Sequence, residues 1–205
     1  ITTIFIGGGT PNLTDLDSLA DWLAHLRRHI SVADNIEFTI ECNPDAVTLD
    51  NLAALGRLGV NRPVFGIQSF NTRLLKLLDR RHNPHHSQQA IYYANVLGFR
   101  NWGVDFIFGL PGQTSKMLSV DLDQLLDFDP PHISFYQLTV EEGTPLWRRV
   151  RRGAVRIPDQ ELSLALYRGG VERMAELGYQ RYEVSSFAKP GFECRHNLGY
   201  WDGSD

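Results

Sequence analysis

The sequence predicts an α/β fold of parallel strands, and three observations predict it. Short apolar, β-prone runs alternate with amphipathic helical stretches, which implies parallel strands joined by right-handed crossovers. The first run, Ile4-Phe5-Ile6, drops straight into Gly7-Gly8-Gly9-Thr10-Pro11. Such a loop turns sharply and leaves its N–H and C=O groups uncovered, so a polar ligand can approach closely. Polar residues then recur at the ends of later strands, where a parallel α/β fold gathers its ligand.

The elements follow in order. Thr14 can cap a first helix, in which Leu16, Leu19, Leu23, Leu26 and Ile30 fall at three- and four-residue steps. Residues 36–42 form the next strand. Thr48 caps a helix carrying Leu49, Leu52, Leu55 and Leu58, with Gly59 at its stop. Residues 64–70 form a strand, followed by a helix around 74–78 and another over 87–97 that Gly98 ends. Residues 103–108 form a strand closing in Gly109-Leu110-Pro111-Gly112. Thr114 then opens a helix with Leu118, Leu122, Leu125 and Leu126. A strand over 132–138, a helix over about 160–177 and a last strand over 179–184 complete the reading. Five βα units are too few to close an eight-unit barrel, so the pattern fits either a partial barrel or an open doubly wound sheet. The dinucleotide-binding fingerprint is absent, because the glycines do not follow G-x-G-x-x-G.

Composition narrows the class. The 205 residues can hold one good-sized core, and one domain spanning 1–205 is expected. The apolar and charged fractions, 42% and 21%, suit a globular enzyme rather than a disordered chain. No apolar run approaches the roughly 20 residues of a membrane span. A formal charge of −4 gives no case for nucleic-acid binding, and Arg148-Arg149-Val150-Arg151-Arg152 reads as a solvated helix end. Cys42 and Cys194 lie far apart, which suits a reducing cytoplasm. Two thiols cannot ligate zinc or an iron–sulfur cluster on their own. The chain starts without Met inside a strand and stops at Trp201-Asp202-Gly203-Ser204-Asp205 without a closing element, as expected for part of a longer protein.

The strand tips carry the chemistry. In order they offer Gly7 to Thr10, Glu41, Gln68, Asp105, and Tyr136 with Gln137, while Arg80 closes the helix after Gln68 and can reach over the site. A polar group left unpaired inside an apolar strand costs roughly 1–3 kcal/mol. Several in successive units point to a bound polar ligand or to a buried structural network. The ligand implied has a carboxylate for Arg80, hydroxyls for Gln68, Asp105 or Glu41, and an ammonium for carboxylates and glycine carbonyls. An amino acid joined to a ribose satisfies that set. His82, His85 and His86 read as solvated loop residues.

These residues carry a resemblance. Gly7-Gly8-Gly9-Thr10-Pro11, Glu41-Cys42-Asn43-Pro44, Gly66-Ile67-Gln68-Ser69-Phe70, Arg80-Arg81-His82 and the segment Asp105-Phe106-Ile107-Phe108-Gly109-Leu110-Pro111-Gly112-Gln113-Thr114 resemble radical S-adenosylmethionine enzymes of the oxygen-independent coproporphyrinogen III oxidase type. Glu141-Glu142-Gly143-Thr144-Pro145-Leu146, Tyr182-Glu183-Val184-Ser185-Ser186-Phe187-Ala188 and Cys194-Arg195-His196-Asn197-Leu198-Gly199-Tyr200-Trp201 continue the match. The chain is most similar to the oxidase-like branch of heme chaperones. Pro63-Val64 departs from the family's usual small polar residue, and only a local change is expected there.

The resemblance implies a partial (β/α) TIM-like barrel, a radical SAM core without its first, cluster-binding strand and loop. It implies S-adenosylmethionine held by Gly8, Gly9, Thr10, Glu41, Gln68, Arg80, Asp105 and Gln137. A 4Fe–4S cluster would be held by a C-x3-C-x2-C loop preceding Ile1, so no metal ligands are expected within the chain. Two functions follow. One is heme carriage, in which heme is bound and passed to an acceptor protein, with His196, Asn197, Tyr200 and Trp201 on the porphyrin. The other is oxidative decarboxylation of coproporphyrinogen propionates. Imidazole suits iron, and aromatic rings stack on porphyrins. The alternative for His196 and Asn197 is that they satisfy backbone groups in a loop. A sugar-phosphate barrel would need a late phosphate loop, which the sequence lacks.

Overall fold

The computed structural model describes residues 1–203. Its strands are β1 (Thr3–Ile6), β2 (Glu37–Cys42), β3 (Arg62–Gln68), β4 (Gly103–Phe108), β5 (His132–Gln137), β6 (Gln180–Arg181) and β7 (Ser186–Ala188). They form one open sheet in the order β1-β2-β3-β4-β5-β7-β6. The first five run parallel in sequence order, the arrangement of a partial (β/α) barrel. The crossovers carry α1 (Leu16–His29), α2 (Leu49–Arg57), α3 (Thr72–Leu77), α4 (Pro84–Val96), α5 (Ser115–Leu126), α6 (Pro145–Arg151) and α7 (Gln160–Glu176); α8 (Arg195–Asp202) follows the sheet.

The two faces of the sheet differ in chemistry. Phe38, Ile40, Phe65, Ile67, Val104, Phe106, Ile133, Phe135 and Phe187 pack with Leu19, Leu23, Leu52, Leu55, Ala90, Ile91, Leu118, Leu122 and Leu166 from the helices in one continuous core. Successive strand side chains alternate between faces. The residues between these apolar ones therefore share the other, inner face: Glu37, Thr39 and Glu41 of β2, Arg62 of β3, Asp105 of β4, and His132, Ser134 and Tyr136 of β5.

Several boundaries differ from the sequence reading. Asp15, not Thr14, caps α1, its carboxylate accepting from Ser18 N at 2.8 Å. Helix α4 begins at Pro84, where Asn83 and His86 cap each other's backbone N–H groups. The arginine run lies in the last turn of α6, as expected of a helix end. The predicted last strand shrinks to β6, and an unpredicted return strand, β7, inserts antiparallel between β6 and β5. The turn is made by Glu183, whose carboxylate accepts from Ser185 N at 2.9 Å. Residues 195–202 form α8 where no closing element was expected; Ser204 and Asp205 of that stretch lie outside the described residues. His82 is buried rather than solvated, its Nε2 meeting the Ile67 carbonyl at 3.0 Å. Burial, the larger effect, holds its pKa below the usual histidine value against that bond.

Candidate functional site

The site is built where the Gly7–Pro11 loop meets the tips of β2 and β3. Asn43 locks the loop in place: its Nδ2 donates to Thr10 Oγ1 at 2.8 Å, and its N–H donates to Asn12 Oδ1 at 3.0 Å. Glu41 fills the space beside Gly7, where a Cβ would lie 2.9 Å from Oε1. Its other oxygen accepts from Gly8 N at 3.0 Å. Only glycine at position 7 lets this carboxylate reach the loop. The backbone of Gly8 and Gly9 stays open, with nothing within 4 Å of a Cβ position at either.

Gln68 enters by a strained backbone. The register of β3 against β4 shifts between Phe65 and Gln68, and Gln68 has φ of 67°. Non-glycine residues rarely adopt that conformation, and bulges beside ligand sites re-aim side chains. Here the bulge folds the amide back over Gly66, where a Cβ would meet its Nε2 at 2.9 Å. Gln68 thereby joins the inner face beside Asn43.

Asp105 and Arg80 complete the charged set. Asp105 faces Ser134 across the β4–β5 ladder. Part of its surface opens to the inner face, yet desolvation by the surrounding walls dominates and pushes its pKa up to about 6. The Ser134 hydrogen bond and the charges of Arg62 and Arg80 oppose that rise, while Glu41 adds to it. Arg80 follows α3, placed by the left-handed turn at Asp79. Burial lowers its pKa, and the carboxylates of Asp105 and Asp45 counter that.

The side chain of Gln137 stands apart from this set. It shares the pleat of Phe135, so its side chain lies on the helix-side face, in a cavity with Phe108, Tyr167, Gln160 and Arg181. The period-two rule decides this: Tyr136 and Gln137 cannot both face inward, and Tyr136 does. The structure thus brings Gly8, Gly9, Thr10, Glu41, Gln68, Arg80 and Asp105 together and sets the side chain of Gln137 apart.

A second group lies along α8, on the inner face. His196 Nδ1 meets Thr3 Oγ1 at 2.9 Å, and its ring stacks on Phe5 at 5.2 Å. Its other neighbour is Tyr200, edge-on at 5.2 Å. Asn197 donates to the Tyr182 hydroxyl at 3.2 Å. Tyr200 and Trp201 are 78% and 63% exposed and line a recess of about 290 Å³ with Tyr136 and Asn197. His196 and Asn197 therefore stand on a helix, bonded to side chains, and not in a loop bonded to backbone.

The sequence reading missed the buried floor beneath these groups. Arg62, 1% exposed, lies among Thr39, Gly103 and His132. His132 Nε2 bonds the Tyr182 hydroxyl at 2.7 Å. Burial, helped by Arg62, keeps the imidazole well below the usual histidine pKa and so neutral. The signal was available: Glu37, Thr39 and Glu41, and likewise His132, Ser134 and Tyr136, alternate with apolar residues at period two.

The donor set suits S-adenosylmethionine. Carboxylates for an ammonium and for ribose hydroxyls, a guanidinium for a carboxylate, and an open glycine loop converge at one end of the sheet. An iron–sulfur cluster finds no such fit. Cys42 and Cys194 are buried on opposite faces, and burial raises their thiol pKa values to about 12 and about 11. No group of three or more metal-ligating side chains exists among the described residues. Nor is any helix among them long and apolar enough to cross a membrane.

Known proteins resemble the chain in sequence and in fold. The chain is 39% identical over 203 residues to the heme chaperone HemW of Haemophilus influenzae, covering 99% of this chain and 52% of that protein. It is 38% identical over 205 residues to HemW of Escherichia coli, covering 53% of it. The chain thus spans about half the length of the curated relatives it matches. Among solved structures, coproporphyrinogen III oxidase HemN from Escherichia coli, a radical SAM enzyme, superposes with a TM-score of 0.82 at 23% identity. That match covers 99% of this chain and 46% of the oxidase. Archaeal Elp3 from Methanocaldococcus infernus gives a TM-score of 0.71 at 20% identity over 82% of this chain and 44% of its own. Residues 1–125 match the Radical SAM superfamily, and the chain belongs to that superfamily.

Proposed function

We propose that this chain is the S-adenosylmethionine-binding half of a heme chaperone, which binds heme and hands it to an acceptor protein. The observation that carries the reading is its 34–39% identity, along essentially its whole length, to proteins named heme chaperone HemW. In the proposed site Arg80 takes the methionyl carboxylate and Glu41 with the loop carbonyls takes the ammonium. Gln68 and Asp105 hold the ribose hydroxyls. In this superfamily a reduced 4Fe–4S cluster, when bound, would supply one electron to the sulfonium of S-adenosylmethionine. Residues of this chain orient S-adenosylmethionine and exclude water.

His196 supplies the iron ligand, and the exposed rings of Tyr200 and Trp201 provide stacking surface for a porphyrin. Two unpaired buried thiols support a reducing cytoplasmic setting. The net charge of −4 supports a partner other than nucleic acid.

The test uses the full-length protein, anaerobic and reconstituted. It should bind hemin stoichiometrically and yield no protoporphyrinogen from coproporphyrinogen III with S-adenosylmethionine and reductant. Protoporphyrinogen formation would overturn the carrier reading in favour of the oxidase.

A further inference from the structure

We propose that Thr3 and Glu37 are positioning residues that present Nε2 of His196 to the iron of heme; this rests on the heme-carrier reading above. Glu37 opens β2, is 4% exposed, and points to the inner face. Its Oε2 accepts from Arg195 N at 3.0 Å, and its Oε1 accepts from His196 N at 3.1 Å and from Cys194 Sγ at 3.4 Å. The first N–H groups of a helix have no partner within it, and a negative charge there is favoured by the helix dipole. One buried carboxylate thus satisfies the two N–H groups that begin α8, across some 158 residues of sequence. It fixes where the helix starts, one residue before His196.

The imidazole is then held from β1. Thr3 and Phe5 stand two residues apart and so share a face. Thr3 Oγ1 engages Nδ1, while the Phe5 ring fixes the imidazole plane. Nε2 makes no hydrogen bond among the described residues and is not among the buried unpaired atoms, so it is the nitrogen left open. An iron ligand needs its lone pair on Nε2, which puts the proton on Nδ1 and makes Thr3 Oγ1 the acceptor. Metal-binding histidines characteristically have their second nitrogen held in this way, and loss of that partner costs about 10–100-fold in affinity.

Hemin titration of the full-length protein tests this, with absorbance and electron paramagnetic resonance reporting axial ligation. S-adenosylmethionine binding serves as the control for folding. Thr3→Val should weaken hemin binding about tenfold and diminish the imidazole signature. Thr3→Ser should restore both. Glu37→Ala should lose the signature, and Glu37→Gln should recover part of it, since the amide keeps one acceptor oxygen. If Thr3→Val and Glu37→Ala bind hemin like the wild type, with unchanged spectra and intact S-adenosylmethionine binding, the proposal is wrong. It is also wrong if His196→Ala leaves the spectra unchanged, although heme carriage would then stand on another ligand. A wild-type protein that binds no hemin would overturn the carrier reading itself.

Discussion

Individual residues show most clearly what this site demands of its surroundings. Asp105 sits where desolvation outweighs its favourable partners and lifts its pKa to about 6. Raised above the unfolded value of about 3.9, it contributes stability that is fully present below pH 4 and is lost as pH rises through 6. Asp105→Asn removes that loss. The variant should gain on the wild type in thermal unfolding as pH rises from 4 to 8; a difference between the two midpoints that stays constant across that range would contradict the assigned burial. Gly7 makes the complementary demand. Gly7→Ala would put a methyl 2.9 Å from Glu41 Oε1, forcing the carboxylate from the Gly8 N–H. S-adenosylmethionine binding by the full-length protein should weaken by about tenfold, the loss of a charge-assisted hydrogen bond. Much of this was legible in the sequence, because Gly7 and Glu41 fall where β1 and β2 end and Asp105 is a lone carboxylate inside an apolar strand. The orientation of Gln68 was not, since a bulge of one residue decides it.

Elements were legible where periodicity is long and strong. The leucines of α1, α2 and α5 mark the buried faces of those helices, and the five parallel strands follow from the alternation. The edge was harder to read. The two-residue β6 and three-residue β7 are too short for period two to register, and their hairpin depends on the side chain of Glu183. Helix α8 has a weak apolar pattern because its docking is polar, through Glu37 and Thr3 rather than through a leucine stripe. Packing at the sheet–helix interface also rests on a residue without a pattern. Gly170 of α7 lies over Phe135, where a Cβ would meet the ring at 2.5 Å. Gly170→Ala should therefore cost about 1–3 kcal/mol, seen as a lower urea midpoint with unchanged slope. An unchanged midpoint would mean that α7 stands off from the sheet.

At the scale of the whole molecule, one sheet separates two jobs. Its apolar face holds the helices, and its polar face holds the ligand residues. The proposed S-adenosylmethionine residues lie around the Gly7–Pro11 loop and the ends of β2 and β3, with Asp105 inside β4, while Thr3 and Glu37, which open β1 and β2, meet His196 and the start of its helix; the two groups share no hydrogen-bonding partner among the described residues. Substitutions in such separated groups respond independently. The polar face was only half visible beforehand. Glu41, Gln68 and Asp105 announced themselves by position; period two put His132 on the same face, but only the register shows that it meets Arg62. The proposed function requires the inner face around Glu41, Gln68 and Asp105 to hold S-adenosylmethionine. Equilibrium dialysis of radiolabelled S-adenosylmethionine against the full-length protein tests it most directly, comparing Gln68→Ala, Asp105→Asn and Gln137→Ala. Binding should weaken about tenfold in the first two, near 1.4 kcal/mol each, and stay within about twofold of wild type in Gln137→Ala, as for a site without shared contacts. Wild-type affinity in Gln68→Ala and Asp105→Asn, or a loss in Gln137→Ala equal to theirs, would contradict it.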